Sequence, residues 1–385
     1  MQDRVLAVAM NGVTGRMGYR QHLTRSVLAI RKAGGVELPD GSRVVPEPVL
    51  VGRSADKLRR IAEEHGIERW STDLDTVLSD PGIEAYFDAQ ITSAREEALR
   101  SAIAAGKHIY TEKPTASTLG AALELAKLAR DAGVCNGVVQ DKLFLPGLIK
   151  LRRLLESGFF GRVLSIRGEF GYWVFEGGWQ EPQRPSWNYR AEDGGGIVLD
   201  MFPHWHYIME QLFAPVRAVT ATTATHIARR WDEDGSPYAA TAEDAAYAVF
   251  ELEGGITAQI NSSWCVRVDR DELVEFQVDG TEGSAVAGLR NCRIQHRVAT
   301  PRAFWDPDAP ADRGGYRDQW EHVPDNADFD NGFRAQWEQF ISHVCAGTRF
   351  PYDLLSGARG LQLAEAGLRS ASSGHRVELE EVDLP

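Results

Sequence analysis

Val5 to Met10 is an unbroken apolar run that stops at Asn11-Gly12, which predicts a short strand buried on both faces. A mixed stretch from about Tyr19 to Lys32 predicts a helix, and Pro48 to Val51 a second strand, reached through a polar excursion with turn chemistry at Pro39-Asp40-Gly41. Ala55 to His65 sets Leu58 and Ile61 on one helical face. Strand patterns then recur at Ala85 to Asp88, His108 to Thr111 and Asn136 to Gln140, separated by helical stretches Ala94 to Ala105 and Ala121 to Ala132. Strands alternating with helices predict a doubly wound parallel sheet, an α/β Rossmann domain over residues 1–140. The texture changes afterwards. A helix near Leu148 to Glu156 is followed by β-rich segments at Val163 to Phe170, Val216 to Ala224, Ala245 to Glu253, Ile256 to Ser263 and Leu273 to Val278. Strands in succession predict an α+β domain over 141–385 with an open, mainly antiparallel sheet. Phe333 to Val344 and Gly357 to Ser370 are amphipathic and helical, and the last helix is expected to pack back on the first domain.

Composition adds limits rather than identity. A chain of 385 residues exceeds one typical core, so two domains are the natural division. Its net charge of −13 argues against nucleic acid and anionic membrane, which need basic surface. Four scattered cysteines without a C-x-x-C pair fit a reducing compartment. The opening residues Met1-Gln2-Asp3-Arg4-Val5 lead into a strand with no signal-peptide apolar core, and no apolar run approaches the ~20 residues of a membrane span. The expectation is a cytoplasmic protein.

Gly12-Val13-Thr14-Gly15-Arg16-Met17-Gly18 lies between the first strand and the first helix, where glycines admit a pyrophosphate and the helix start offers free N–H groups. Gly12, Thr14, Gly15, Arg16 and Met17 are therefore candidate dinucleotide contacts. The second strand ends in Gly52-Arg53-Ser54, with no carboxylate to hold the 2′-hydroxyl of NAD. Arg53 and Ser54 suit a 2′-phosphate instead, which favours NADP over NAD. Lys113 sits at the end of a strand in Glu112-Lys113-Pro114, placed for a cleft rather than a core. Asp200 and His204, four residues apart after Gly194-Gly195-Gly196, share one helical face, with Pro203 suggesting a first helical turn. Lys, Asp and His converging would form a proton-handling site for a hydroxyl that becomes a carbonyl. A metal site from Asp200, His204 and His206 is set aside, because residues two apart on a helix diverge and no fourth ligand is evident. The stretch 170–190 is rich in aromatics, and Trp173, Trp187 and Tyr189 are candidates to stack on a sugar ring.

With these residues in view, the chain resembles the Gfo/Idh/MocA oxidoreductases almost end to end. The resemblance rests on Ala105-Gly106-Lys107-His108 leading into Glu112-Lys113-Pro114, on Gly195 to Asp200 with His204, on Gly158 to Val163, on Asp279 to Ser284, and on Ala364-Glu365-Ala366 to Gly374. It implies NAD(P)-dependent hydride transfer at a secondary alcohol of a sugar, cyclitol or glycoside. It also implies a homodimer or homotetramer formed through the C-terminal sheet. In that picture Lys113 touches substrate and nicotinamide, His204 is the acid/base, Asp200 orients it, and Gln90 and Glu112 belong with the cofactor contacts. Three departures stand out. One extra residue separates the first glycines, Gln90 to Arg95 replaces a T-P-x-x-x-H segment, and Met201-Phe202-Pro203 fills the Asp–His interval. Two other readings remain open: a silent dinucleotide and sugar sensor, and an enzyme that cleaves glycosides by transient oxidation with a retained cofactor.

Overall fold

The computed structural model describes residues 4–302, 317–326, 328 and 331–384. The first domain is built from β1 (Arg4–Asn11), a helix α1 that is π-wound over Gly18–Val27 and α-helical over Leu28–Lys32, β2 (Val36–Glu37), β3 (Arg43–Val51), α2 (Ala55–His65), β4 (Trp70–Ser71), α3 (Leu74–Ser79), β5 (Ala85–Asp88), α4 (Thr92–Ala104), β6 (His108–Thr111), α5 (Leu119–Asp131) and β7 (Asn136–Val138). The sheet order is β2-β3-β1-β5-β6-β7, parallel throughout except for β2. The expected hairpin at Pro39-Asp40-Gly41 joins β2 to β3, and β3 begins five residues earlier than the apolar pattern suggested. Strand alternation explains the continuous apolar run of β1. Leu6, Val8 and Met10 enter one core with α1, while Ala7 and Ala9 enter a second core with α4 and α5.

The second domain contains α6 (Pro146–Glu156), β8 (Val163–Gly171), α7 (Ile197–Leu212), β9 (Val216–Ala224), a small hairpin β10 (Arg229–Trp231) and β11 (Pro237–Ala239), β12 (Ala245–Leu252), β13 (Thr257–Ser263), β14 (Val274–Gly280), β15 (Gly283–Gly288), β16 (Cys292–His296) and β17 (Glu321–His322). The chain closes with α8 (Gly332–Ala346), α9 (Leu354–Ser373) and β18 (Val377–Glu378). Nine strands run in the order β17-β16-β15-β14-β8-β13-β12-β9-β18, antiparallel except for the β8–β13 pair. Alternate residues of β12 are buried, and its other face carries exposed Tyr247 and Val249. Packed on the opposite face, α7 is buried nearly all round.

Both C-terminal helices return to the first domain. α9 lies along α7 and α5, while α8 packs on the π-wound part of α1 and on β2. Close approach of α9 to α7 depends on Gly360 and Gly367: a Cβ at Gly367 would sit 2.5 Å from the Phe202 ring. The two domains are thus clamped together on either side of the seam where β6 meets α7.

Candidate active site

The C-terminal ends of β1, β5 and β6 form one rim of this seam. At β1, Gly12 has a φ of +83°, and a Cβ there would lie 2.5 Å from the Ala89 carbonyl carbon. Only glycine fits, so the chain can turn tightly into the exposed Thr14-Gly15-Arg16 and then into the helix. At the end of β5, Gln90 Oε1 is buried without a hydrogen-bond partner. A glycine-only turn, exposed residues leading into a helix start and an orphaned acceptor beside them fit a dinucleotide. Arg53 is exposed at the end of β3, whereas the Ser54 hydroxyl accepts from the Lys57 N–H as the cap of α2.

The unusual Gln90 to Arg95 segment has a clear local logic. Arg95 is buried, and its guanidinium binds Asp88 Oδ1 at 3.1 Å, the Gln90 carbonyl at 2.6 Å and the Pro114 carbonyl. One side chain therefore ties the end of β5 to the loop carrying Lys113, across a cis Lys113–Pro114 bond. Glu112 departs from the expected cofactor role. It is buried, its Oε1 lies 2.8 Å from His22 Nε2, and its Oε2 accepts from the Lys113 N–H. The Trp337 indole donates to His22 Nδ1 at 3.0 Å, so Nε2 carries the ring proton and donates to Glu112. Glu112 is a brace for the backbone at Lys113, built from α1, β6 and α8.

Lys113 Nζ reaches across the seam to α7, bonding Asp200 Oδ1 at 2.5 Å and the Asp200 carbonyl at 2.8 Å. The other carboxylate oxygen accepts from Arg184 Nη1 at 3.0 Å. Arg184 is fixed in turn by the Tyr172 hydroxyl at 3.1 Å and by stacking over Trp264 at 4.3 Å. Two cations hold the Asp200 carboxyl far below its usual range, against a burial penalty that pushes the other way. The carboxylate is therefore spent on Lys113 and Arg184 and makes no hydrogen bond to His204 among the described residues.

His204 lies one turn further along α7, and its partners come from elsewhere. Its Nδ1 is 2.6 Å from the Tyr207 hydroxyl, which lies 3.5 Å from Asp141 Oδ1 and accepts from the Lys142 N–H at 3.3 Å. Its Nε2 is 3.2 Å from Lys142 Nζ. The arrangement that satisfies every partner has Tyr207 donating to Asp141, Nδ1–H donating to Tyr207, and the Nε2 lone pair facing Lys142. Burial first, then the charges of Lys142 and Lys113, hold the imidazole well below its usual pKa, so it is neutral.

Of the aromatic candidates, Trp187 is 40% exposed, on a loop whose carbonyls press on Gly195 ahead of α7. Trp173 is half-buried beneath the Arg267 guanidinium. Tyr189 corrects the expectation: it is 2% exposed, sandwiched by Arg230 and Trp264, and belongs to the core. Arg184, Lys142 and Tyr207 went unnoticed in the sequence, and Tyr172 stood there only as one ring of the aromatic stretch. Arg184 and Tyr172 sit inside the aromatic stretch, and Lys142 follows β7 as Lys113 follows β6. That parallel was the one available signal.

A dinucleotide cradle facing a Lys–Asp–Arg cluster and a neutral imidazole defines a nicotinamide-dependent oxidoreductase acting at CH–OH groups. The comparisons agree. The model of the oxidoreductase family with an NAD-binding Rossmann fold matches residues 7–140, and that of the GFO/IDH/MocA C-terminal domain matches 148–286. A D-xylose dehydrogenase from Paenarthrobacter nicotinovorans is 59% identical over 384 residues, covering 99% of both chains. The scyllo-inositol 2-dehydrogenase (NAD(+)) of Bacillus subtilis is 25% identical over 283 residues, covering 73% of each. A levoglucosan dehydrogenase solved with NADH and L-sorbose superposes with a TM-score of 0.82 at 20% identity, over 98% of this chain and 100% of that one. The chain belongs to the Gfo/Idh/MocA oxidoreductase family. No helix among the described residues is long and apolar enough to cross a membrane.

Proposed function

We propose that the enzyme oxidises D-xylose, or an aldose of similar size, at its hemiacetal CH–OH to a lactone. The observation that carries this reading is the identity with a D-xylose dehydrogenase over essentially the whole of both chains. When bound, the nicotinamide supplies the hydride acceptor. Gly12, Thr14, Gly15, Arg16 and Met17 would hold its dinucleotide, with Gln90 near the reactive end. In this reading Lys113 binds the reacting hydroxyl and stabilises negative charge as it develops on oxygen. His204 Nε2 takes the hydroxyl proton, while Tyr207 and Asp141 fix the ring through Nδ1. Asp200 and Arg184 aim Lys113 instead of orienting His204, and Trp187 offers a face to the sugar ring. With Arg53 exposed and no carboxylate at the end of β3, the enzyme uses NADP at least as well as NAD.

Reduced nicotinamide formation, followed by absorbance with a panel of aldoses, cyclitols and glycosides and with each dinucleotide, tests the proposal. D-Xylose should give the highest kcat/KM, with NADP no worse than NAD. Absence of turnover despite tight dinucleotide binding would support a silent sensor, and glycoside cleavage without net reduction a transient-redox enzyme. We also infer self-association through the outer sheet face around Tyr247 and Val249. Light scattering should then report two or four copies of the 42.6 kDa chain, and a monomer would refute it.

A further inference from the structure

Deprotonated Nε2 is the acceptor that His204 must present to a substrate, because Nδ1 is committed to Tyr207. Yet Nε2 already has a partner, Lys142 Nζ at 3.2 Å. Lys142 rides on the turn between β7 and α6, at the junction of the two domains, and its side chain is mostly buried. Its backbone N–H also grips the Tyr207 hydroxyl that braces the other ring nitrogen. Both sides of the imidazole are therefore set by one residue from the turn that joins the two domains.

We propose that Lys142 is a positioning residue for proton transfer, holding the Nε2 lone pair of His204 uncharged and aimed until a substrate hydroxyl replaces it. The inference rests on the reading of His204 as the base. Facing this pair are Asp141 on the same turn, Lys113 and Glu112 from the end of β6, Asp200 and Tyr207 on α7, and Arg184 from the 172–190 loop. Asp200 is already neutralised by Lys113 and Arg184. The nearby acid that offsets Lys142 is Asp141, 3.7 Å from its Nζ. In the step itself, the substrate O–H proton passes to Nε2, and the C–H bond breaks with its electron pair leaving as hydride to the nicotinamide. Burial lowers the pKa of Lys142 itself and Asp141 opposes that; as a cation beside Nε2 it disfavours imidazolium, which keeps the base available at lower pH.

Removing the cation raises the proton affinity of His204, so the acid limb of the kcat/KM profile for aldose oxidation moves to higher pH. Lys142→Met and Lys142→Gln should each move it measurably up, and Lys142→Arg should leave it close to wild type. Dinucleotide binding, measured by quenching of protein fluorescence, checks that each variant is folded. Carbon-13 NMR of ring-labelled histidine, with the signal assigned by its loss in His204→Gln, reads the same quantity without turnover. The His204 signal should begin to protonate at higher pH in Lys142→Met than in wild type, although burial still holds it down in both. An unmoved limb in both neutral variants, or an equal shift in Lys142→Arg, overturns the role of Lys142 alone. Failure of the wild type to oxidise any aldose overturns the functional reading itself.

Discussion

Asp200 illustrates how a residue legible in the sequence can have an illegible job. Its place four residues before His204 suggested that it orients the imidazole. Instead Lys113 occupies Oδ1 and Arg184 occupies Oδ2, at 2.5 and 3.0 Å. Lys113 was legible because Glu112-Lys113-Pro114 ends a strand at a predictable rim. Arg184 was not, because it reaches the site from an irregular loop, where no periodicity marks direction. The same holds for His22, which looks like an ordinary helical residue until Trp337 and Glu112, 315 and 90 positions away, close around it. Glu112 and Tyr189 were misread for a related reason. Proximity to a motif in sequence says nothing about which way a side chain turns.

At the level of elements, α7 was the least predictable and carries the most chemistry. Its apolar residues run nearly all round, and Pro203 suggested a helix start, yet Pro203 lies seven residues into a helix of 16. Burial on every side explains both features. The helix is sealed by the sheet and by α9, so packing offsets the cost of an interior proline. That burial has a consequence for stability. His206 is pushed down to about 3, by burial and then by Arg359, and His204 is also held well below its usual value. Both rings are neutral when folded and must take up protons once unfolded. Stability from them is therefore present above the unfolded value of about 6.5 and is lost as pH falls toward 3, by at most about 1.4 kcal/mol per pH unit per ring. Urea midpoints should fall between pH 7.5 and pH 5, and His206→Asn should flatten that slope. An equal slope in the variant would contradict the assignment. Asp200 adds nothing in this window, because its carboxylate stays ionised to far lower pH.

Across the whole molecule, the order of elements and the two-domain architecture followed from hydrophobic period alone, since parallel strands buried on both faces and half-exposed antiparallel strands leave different patterns. β15 and β16 were missed because small residues and short length weaken that pattern. The return of α8 to the first domain was also hidden, because an amphipathic helix declares that it has a partner without naming it. These returning helices close the seam between the loop after β6 and α7, where the proposed function has the Lys113 ammonium and the His204 imidazole act on one hydroxyl. The direct test is steady-state oxidation of D-xylose by wild type and Lys113→Ala, with dinucleotide affinity measured in parallel. Lys113→Ala should lose ~10²–10⁴ in kcat with dinucleotide affinity retained. Near-wild-type turnover in Lys113→Ala would contradict it.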